Sequence, residues 1–267
     1  MPNSIPAGNF LCSLLSLLLI LALPIGLCVY CARKHRGSLR AVLIGALCFM
    51  VGAGVLEQSL HAAVFSFFPS ITKNAAAYCI YGCLAAGVFE ETARLLGLRY
   101  LCKRDKNPTI GLAYGVGHGG IEALMLALTI FSNLMVMTTI NSGNGASLLQ
   151  GLDAATAQGM TAQLSSLATE PSWVFLMAGV ERVFAVILHI ALSMLIWMVV
   201  TGRVPKWGYP LSILLHALSD LPAVLGQVQI LTNVLLLEAL IGVLSVGIAA
   251  FVFWLYRKTA PAQAQTA

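Results

Sequence analysis

The sequence predicts an all-α fold, a polytopic transmembrane helix bundle of about seven spans with its N-terminus outside and its C-terminus cytoplasmic. Three observations predict it. Hydrophobic residues make up 59% of the chain and charged residues only 9%, with a mean hydropathy of +0.88. A soluble domain carries roughly 25% charged residues, so the solvent of this chain is lipid. The apolar stretches are long and lack period-2 alternation, which in lipid selects helices over a closed barrel. Basic residues gather in short loops that fall on one side when the stretches are threaded alternately. The net charge of +5 therefore reports topology, and nucleic acid is excluded as a partner.

The elements follow in order. A span over residues 10–30 precedes Arg33, Lys34, His35, Arg36 and Arg40, which assigns that loop to the cytoplasm. Met1 to Gly8 lacks a basic n-region, so this span reads as retained rather than cleaved. A span over 41–68 runs outward to Pro69, and only Lys73 is basic in the loop that follows. A span over 75–101 returns to Lys103, Arg104 and Lys106, and a span over 109–140 leaves again. Asn141 to Pro171 has no Lys or Arg and reads as an external loop. A span over 173–201 returns to Arg203 and Lys206. Spans over 207–225 and 230–256 are joined by a short external turn, and Arg257 and Lys258 close the chain inside. Residues 1–258 read as a single integral membrane domain of the plasma membrane, and 259–267 as a disordered tail. No internal repeat of the transporter kind is visible. Neither Cys28-x-x-Cys31 nor Cys79-x-x-x-Cys83 has a partner motif, so the cysteines read as packing residues.

The chemistry concentrates between Gly87 and Glu122. Glu90, Glu91 and Arg94 lie in one apolar span, and His118 and Glu122 lie in the next. Left unpaired, five ionisable groups in hydrocarbon would cost on the order of 15 kcal/mol, so they require partners. A helix rises about 1.5 Å per residue, and counting from the basic loops puts Glu91, His118, His189 and His216 roughly 13–18 Å deep. Four helices thus deliver His or Glu to one layer. Glu122 and Asp220 follow His118 and His216 at i+4, so each shares a helix face with its histidine. Arg94, at i+4 from Glu90 and i+3 from Glu91, can hold one carboxylate ionised. Glu57 and His61 form a further i, i+4 pair that counts to a level nearer the outer face.

Some patterns carry nothing. Gly115-x-Gly117-x-x-Gly120 matches a dinucleotide fingerprint but lies inside an apolar span. Its small residues read as sites of close helix approach, or as space for a peptide beside His118. No His-Glu-x-x-His occurs. Ser193 follows His189 by four residues, but no third group is available to orient a Ser–His pair.

Paired carboxylates, an arginine and several histidines at one buried level suit activation of water. One glutamate can serve as general base and then as acid to the leaving amine, with histidines stabilising the oxyanion. Alternatively His118, Glu122, His189, His216 and Asp220 supply ligands for a Zn²⁺ ion with a position left for water.

The order Glu-Glu-x-x-Arg, then His in the next span, then His-x-x-x-Asp in a later one resembles the YhfC-like branch of the superfamily containing the type II CAAX prenyl proteases (Abi or CPBP) and PrsW. The resemblance runs from the third span to the sixth. It implies an intramembrane protease, described for the YhfC branch as a metalloprotease. It also implies catalytic roles for Glu90 or Glu91, His118 and His216, with Asp220 as the polar residue after the late histidine. The CAAX-type motif has three residues between the glutamates and the arginine, where two stand here, and Asn where Asp220 stands. Glu122 and His189 are additional, and prenylated substrates are not implied. The expected partners are membrane lipid and a peptide or membrane-protein substrate. Two other functions use the same residues: a transporter for ions or a small solute with a His/carboxylate pathway, and a non-catalytic scaffold, as the multispanning subunit of γ-secretase is in this superfamily.

Overall fold

In the computed structural model, residues 2–259 are described. The helices are α1 (Ala7–Lys34), α2 (Ser38–Val51), α3 (Gln58–Phe67), α4 (Ala75–Leu96), α5 (Pro108–Asn141), α6 (Ala154–Thr169), α7 (Ser172–Val200), α8 (Gly208–Gln227) and α9 (Val234–Lys258). No strand occurs among the described residues. A π-helical turn, Gly52–Glu57, joins α2 to α3, and a second, Gly97–Leu101, extends α4. Among the described residues, six helical stretches have the length and apolar composition to cross a membrane: α1, Ser38–Phe67, α5, α7, α8 and α9. Helix α4, 22 residues long, is not among them and carries Glu90, Glu91 and Arg94.

Local chemistry sets the ends. Asn74 caps α4 by accepting from the Ala77 N–H, and Asn233 caps α9 by accepting from the Leu236 N–H. The break between α8 and α9, over residues 228–233, therefore falls later than the turn at 226–229 that the spans over 207–225 and 230–256 predict. Thr259, read as part of the tail, belongs to the end of α9, its hydroxyl donating to the Leu255 carbonyl; the rest of that tail lies outside the described residues. The loop expected from Asn141 to Pro171 contains α6. Asp153 caps it, accepting from the Ala155 and Thr156 N–H groups, and the Thr156 hydroxyl helps hold the Asp153 carboxyl below the usual carboxylate range.

Contacts divide the chain into two units, one of residues up to 23 with 123–183, the other of 24–122 with 184 onward. The first is stitched by polar side chains. Asn9 donates to the Leu167 and Glu170 carbonyls, Ser16 donates to the Phe175 carbonyl, and Asn141 pairs with the backbone of Ile5.

The second unit holds every residue of the candidate site. Its core centres on Trp197, Leu192, Leu195, Tyr114 and Ile248. Hydrophobic burial does little to drive helices together in lipid, so close backbone approach matters. Gly111, Gly115 and Gly119, spaced at i+4, give α5 a groove for α7. A Cβ at these positions would meet the Trp197 Cβ at 2.8 Å, the Ile190 Cα at 2.6 Å and the His189 Cβ at 3.1 Å. On another face, a Cβ on Gly117 would lie 1.9 Å from the Val42 carbonyl oxygen of α2. These glycines therefore mark helix crossings, and the alternative of peptide space at Gly117 is ruled out by α2. The basic loops of this unit meet at one end. Arg40 donates to the Leu101 carbonyl, His35 lies 3.5 Å from Asp105, Trp197 donates to the Asp105 carbonyl, and Arg203 donates to the Tyr256 carbonyl.

Gly117→Ala is expected to destabilise the detergent-solubilised protein by about 1–3 kcal/mol or more, because backbone must move. Gly82→Ala, where a Cβ meets nothing within 4 Å, should be neutral or slightly stabilising. Thermal melts of the two variants check the contrast.

Candidate metal centre

Helix α4 has full turns on which Glu90 and Arg94 are four apart, with Glu91 beside Glu90 and three before Arg94. All three are buried, and Glu91 and Arg94 are completely so. The Arg94 guanidinium lies 3.3 Å from Glu91 Oε1 and 4.0 Å from Glu90 Oε2. It also donates to the His189 carbonyl at 2.7 Å and to Ser193 Oγ at 2.9 Å, which ties α4 to α7. Ser193 is thus an acceptor for the arginine.

Three imidazoles converge on one oxygen of Glu90. His118 Nε2 of α5 is 2.9 Å from Glu90 Oε2, and His189 Nδ1 of α7 and His216 Nε2 of α8 are each 3.8 Å from it. Two of the rings are oriented by a carboxylate on their far nitrogen. His189 Nε2 meets Glu122 Oε2 at 2.6 Å, and His216 Nδ1 meets Glu91 Oε1 at 2.8 Å. His118 is held by packing instead, edge-on to Phe49 with centroids 5.1 Å apart and stacked on Tyr114 at 6.1 Å, and its Nδ1 is buried with no hydrogen-bond partner. Arg94 also reaches His189 Nδ1, at 3.2 Å.

All the residues expected at the site come together, but two are placed differently from the sequence reading. Glu122 shares a helix with His118 yet reaches across to His189, while Asp220 does meet its own i+4 neighbour His216, at 3.5 Å. Glu91 contacts Arg94 and His216 rather than the common centre. Glu57 and His61 pair at 3.2 Å, and His61 Nδ1 meets the Tyr81 hydroxyl at 2.7 Å, a contact the sequence analysis did not identify. The side chains of Glu122 and Asp220 remain 27% and 28% exposed, against 10% for Glu90.

Glu90, His118 and His189 form a buried group whose ligand atoms lie within 4.8 Å of one another, a set compatible with a metal ion. The donor chemistry fits a divalent cation: one carboxylate oxygen and two imidazole nitrogens, with the far nitrogen of His189 on a carboxylate, as ligating histidines commonly have it. Charge fits as well. Glu90 and Glu91 bring two negative charges against the one guanidinium of Arg94, and an excess charge in a dry interior is costly unless a proton or a cation joins it.

Fold and site define a multi-pass membrane protein with a buried Glu–His centre inside its helical core. The chain belongs to the YhfC intramembrane metalloprotease family, whose profile matches residues 19–241. It is similar to a Bacillus subtilis (strain 168) protein named Uncharacterized membrane protein YhfC, 38% identical over 240 residues that cover 88% of this chain and 90% of the relative. No solved structure matches the chain.

Breaking the buried pair from one side should be costly. Glu91→Gln is expected to lower stability by about 3–5 kcal/mol by leaving Arg94 without its nearest counter-charge. The double variant Glu91→Leu/Arg94→Met should lose much less than the sum of the single variants. Denaturant unfolding in mixed micelles measures both.

Proposed function

We propose that this protein is an intramembrane peptidase of the plasma membrane, cutting a peptide bond of a membrane-protein substrate in the inner half of the bilayer. The observation that carries the reading is the convergence of three imidazoles from α5, α7 and α8 on a single carboxylate oxygen of α4. The family's description as an intramembrane metalloprotease supports it.

In this reading Glu90, His118 and His189 would hold a divalent cation, zinc by the preference of a mixed imidazole and carboxylate set. When bound, such an ion supplies an acidified water and polarises the scissile carbonyl. The remaining residues act on protons and orientation. Glu122 fixes His189 by its Nε2, so that Nδ1 faces the centre. Glu91, anchored by Arg94, accepts the Nδ1–H of His216 and leaves its Nε2 lone pair directed inward, the orientation a general base requires. His216 takes a proton from water as the water oxygen bonds to the carbonyl carbon. It then returns that proton to the amide nitrogen as the C–N bond breaks, giving a carboxylic acid and an amine. Asp220, 3.5 Å from His216 Nε2, stabilises the imidazolium between the two transfers. Glu91 is in this mechanism a positioning residue, and Glu90 a ligand.

Metal analysis of the purified protein should give close to one ion per chain. His118→Ala, His189→Ala and Glu90→Gln should lose it, and Glu122→Gln should weaken it about 10–100-fold. His216→Ala should keep the ion yet cleave a transmembrane reporter about 10²–10⁴-fold more slowly. Unchanged cleavage in His216→Ala would sink the mechanism. Wild-type protein that folds and binds metal but cleaves nothing would favour a transport or scaffold role.

A further inference from the structure

Away from the metal centre, α1, α5, α7 and α9 enclose a groove of about 460 Å³. Its body is apolar, formed by residues such as Leu112, Ile190, Met194, Ala249 and Val252, and no acidic residue lines it. Polar groups stand at the end nearest the basic loops, where Tyr30, Lys34, Thr109 and Tyr256 contribute. On α7 the lining runs from Ile187 to Met194 and on α9 from Ala249 to Tyr256, which gives a depth of about 10 Å at helical rise.

The cations at that end are held over the rings that line the groove. Lys34 Nζ lies 5.6 Å from the Tyr30 ring centroid, and the Arg257 guanidinium 5.9 Å from that of Phe253. Neither cation forms an ion pair among the described residues. Basic and aromatic side chains together are the composition of a membrane interface on the cytoplasmic side, where anionic lipid concentrates.

We propose that this groove is a specific site for an anionic diacyl phospholipid, with its phosphate between Lys34 and Arg257 and one acyl chain against Leu112, Met194 and Phe253. A zwitterionic lipid offers the same chain, but its ammonium meets two cations. The site also has a mechanical consequence. Ile190, in its wall, directly follows His189, so an acyl chain in the groove braces α7 behind the imidazole that faces Glu90.

Native mass spectrometry tests the site without any assay of activity. Delipidated protein is offered phosphatidylglycerol and phosphatidylcholine with identical chains, and separately glycerol phosphate. One phosphatidylglycerol per chain should be retained with a preference of about tenfold or more over phosphatidylcholine. Lys34→Glu/Arg257→Glu should abolish the preference, and Ala249→Phe, which fills the groove, should abolish retention while the melting profile stays cooperative. Equal retention of the two lipids, retention unchanged in Lys34→Glu/Arg257→Glu, or binding of glycerol phosphate alone would overturn the proposal.

Discussion

Arg94 is completely buried in a helix set among lipid-facing helices, and its charge can exist there only because Glu91 and two acceptors on α7 surround it. Isolated, such a charge would cost several kcal/mol. Paired, it organises its surroundings. The guanidinium reaches the His189 carbonyl and Ser193 of α7, and Glu91 reaches His216 of α8. One ion pair on α4 therefore fixes the register of two further helices, and each of those helices carries one of the converging imidazoles.

Helix association within this unit needs a second contribution, because apolar side chains gain little by leaving lipid for one another. Glycine supplies it. The Gly111, Gly115 and Gly119 groove lets α7 lie against the α5 backbone, and Gly117 and Gly45 do the same between α5 and α2. Between these two close approaches the His118 ring packs against Phe49 and Tyr114 and meets Glu90, whereas the other two histidines have a carboxylate on the far nitrogen as well. Polar ties and backbone contact thus divide the work: the first set which residues face the centre, and the second set how near they come.

Much of this was legible in the sequence, for physical reasons. Ionisable residues are so disfavoured in hydrocarbon that Glu90, Glu91, His118, His189 and His216 stand out, and a constant rise per residue converts their positions into a common depth. Depth says little about direction. Adjacent residues on a helix point about 100° apart, so whether Glu90 or Glu91 faces the histidines depended on where α7 and α8 lie, which counting does not give. The same gap explains Glu122, whose i+4 relation to His118 suggested a shared partner while its carboxylate crosses to His189. Helix α6 is not legible from periodicity, because a stretch rich in Ala, Gly, Ser, Thr and Gln has no apolar period. The signals available were local, the Asp153 cap above all. In the sequence Ser193 reads only against a nucleophile's role, since its position as an acceptor for Arg94 depends on where the ion pair lies relative to α7.

The account stands on the claim that Glu90, His118 and His189 form a first coordination sphere within the membrane. X-ray absorption at the zinc edge on the purified, zinc-loaded protein tests it most directly. The account predicts a shell of nitrogen and oxygen atoms at about 2.0–2.1 Å with scattering from two imidazoles in the wild type, and no bound zinc to give such a shell in His118→Ala. A sulfur shell at about 2.3 Å, or an imidazole signal unchanged in that variant, would contradict it.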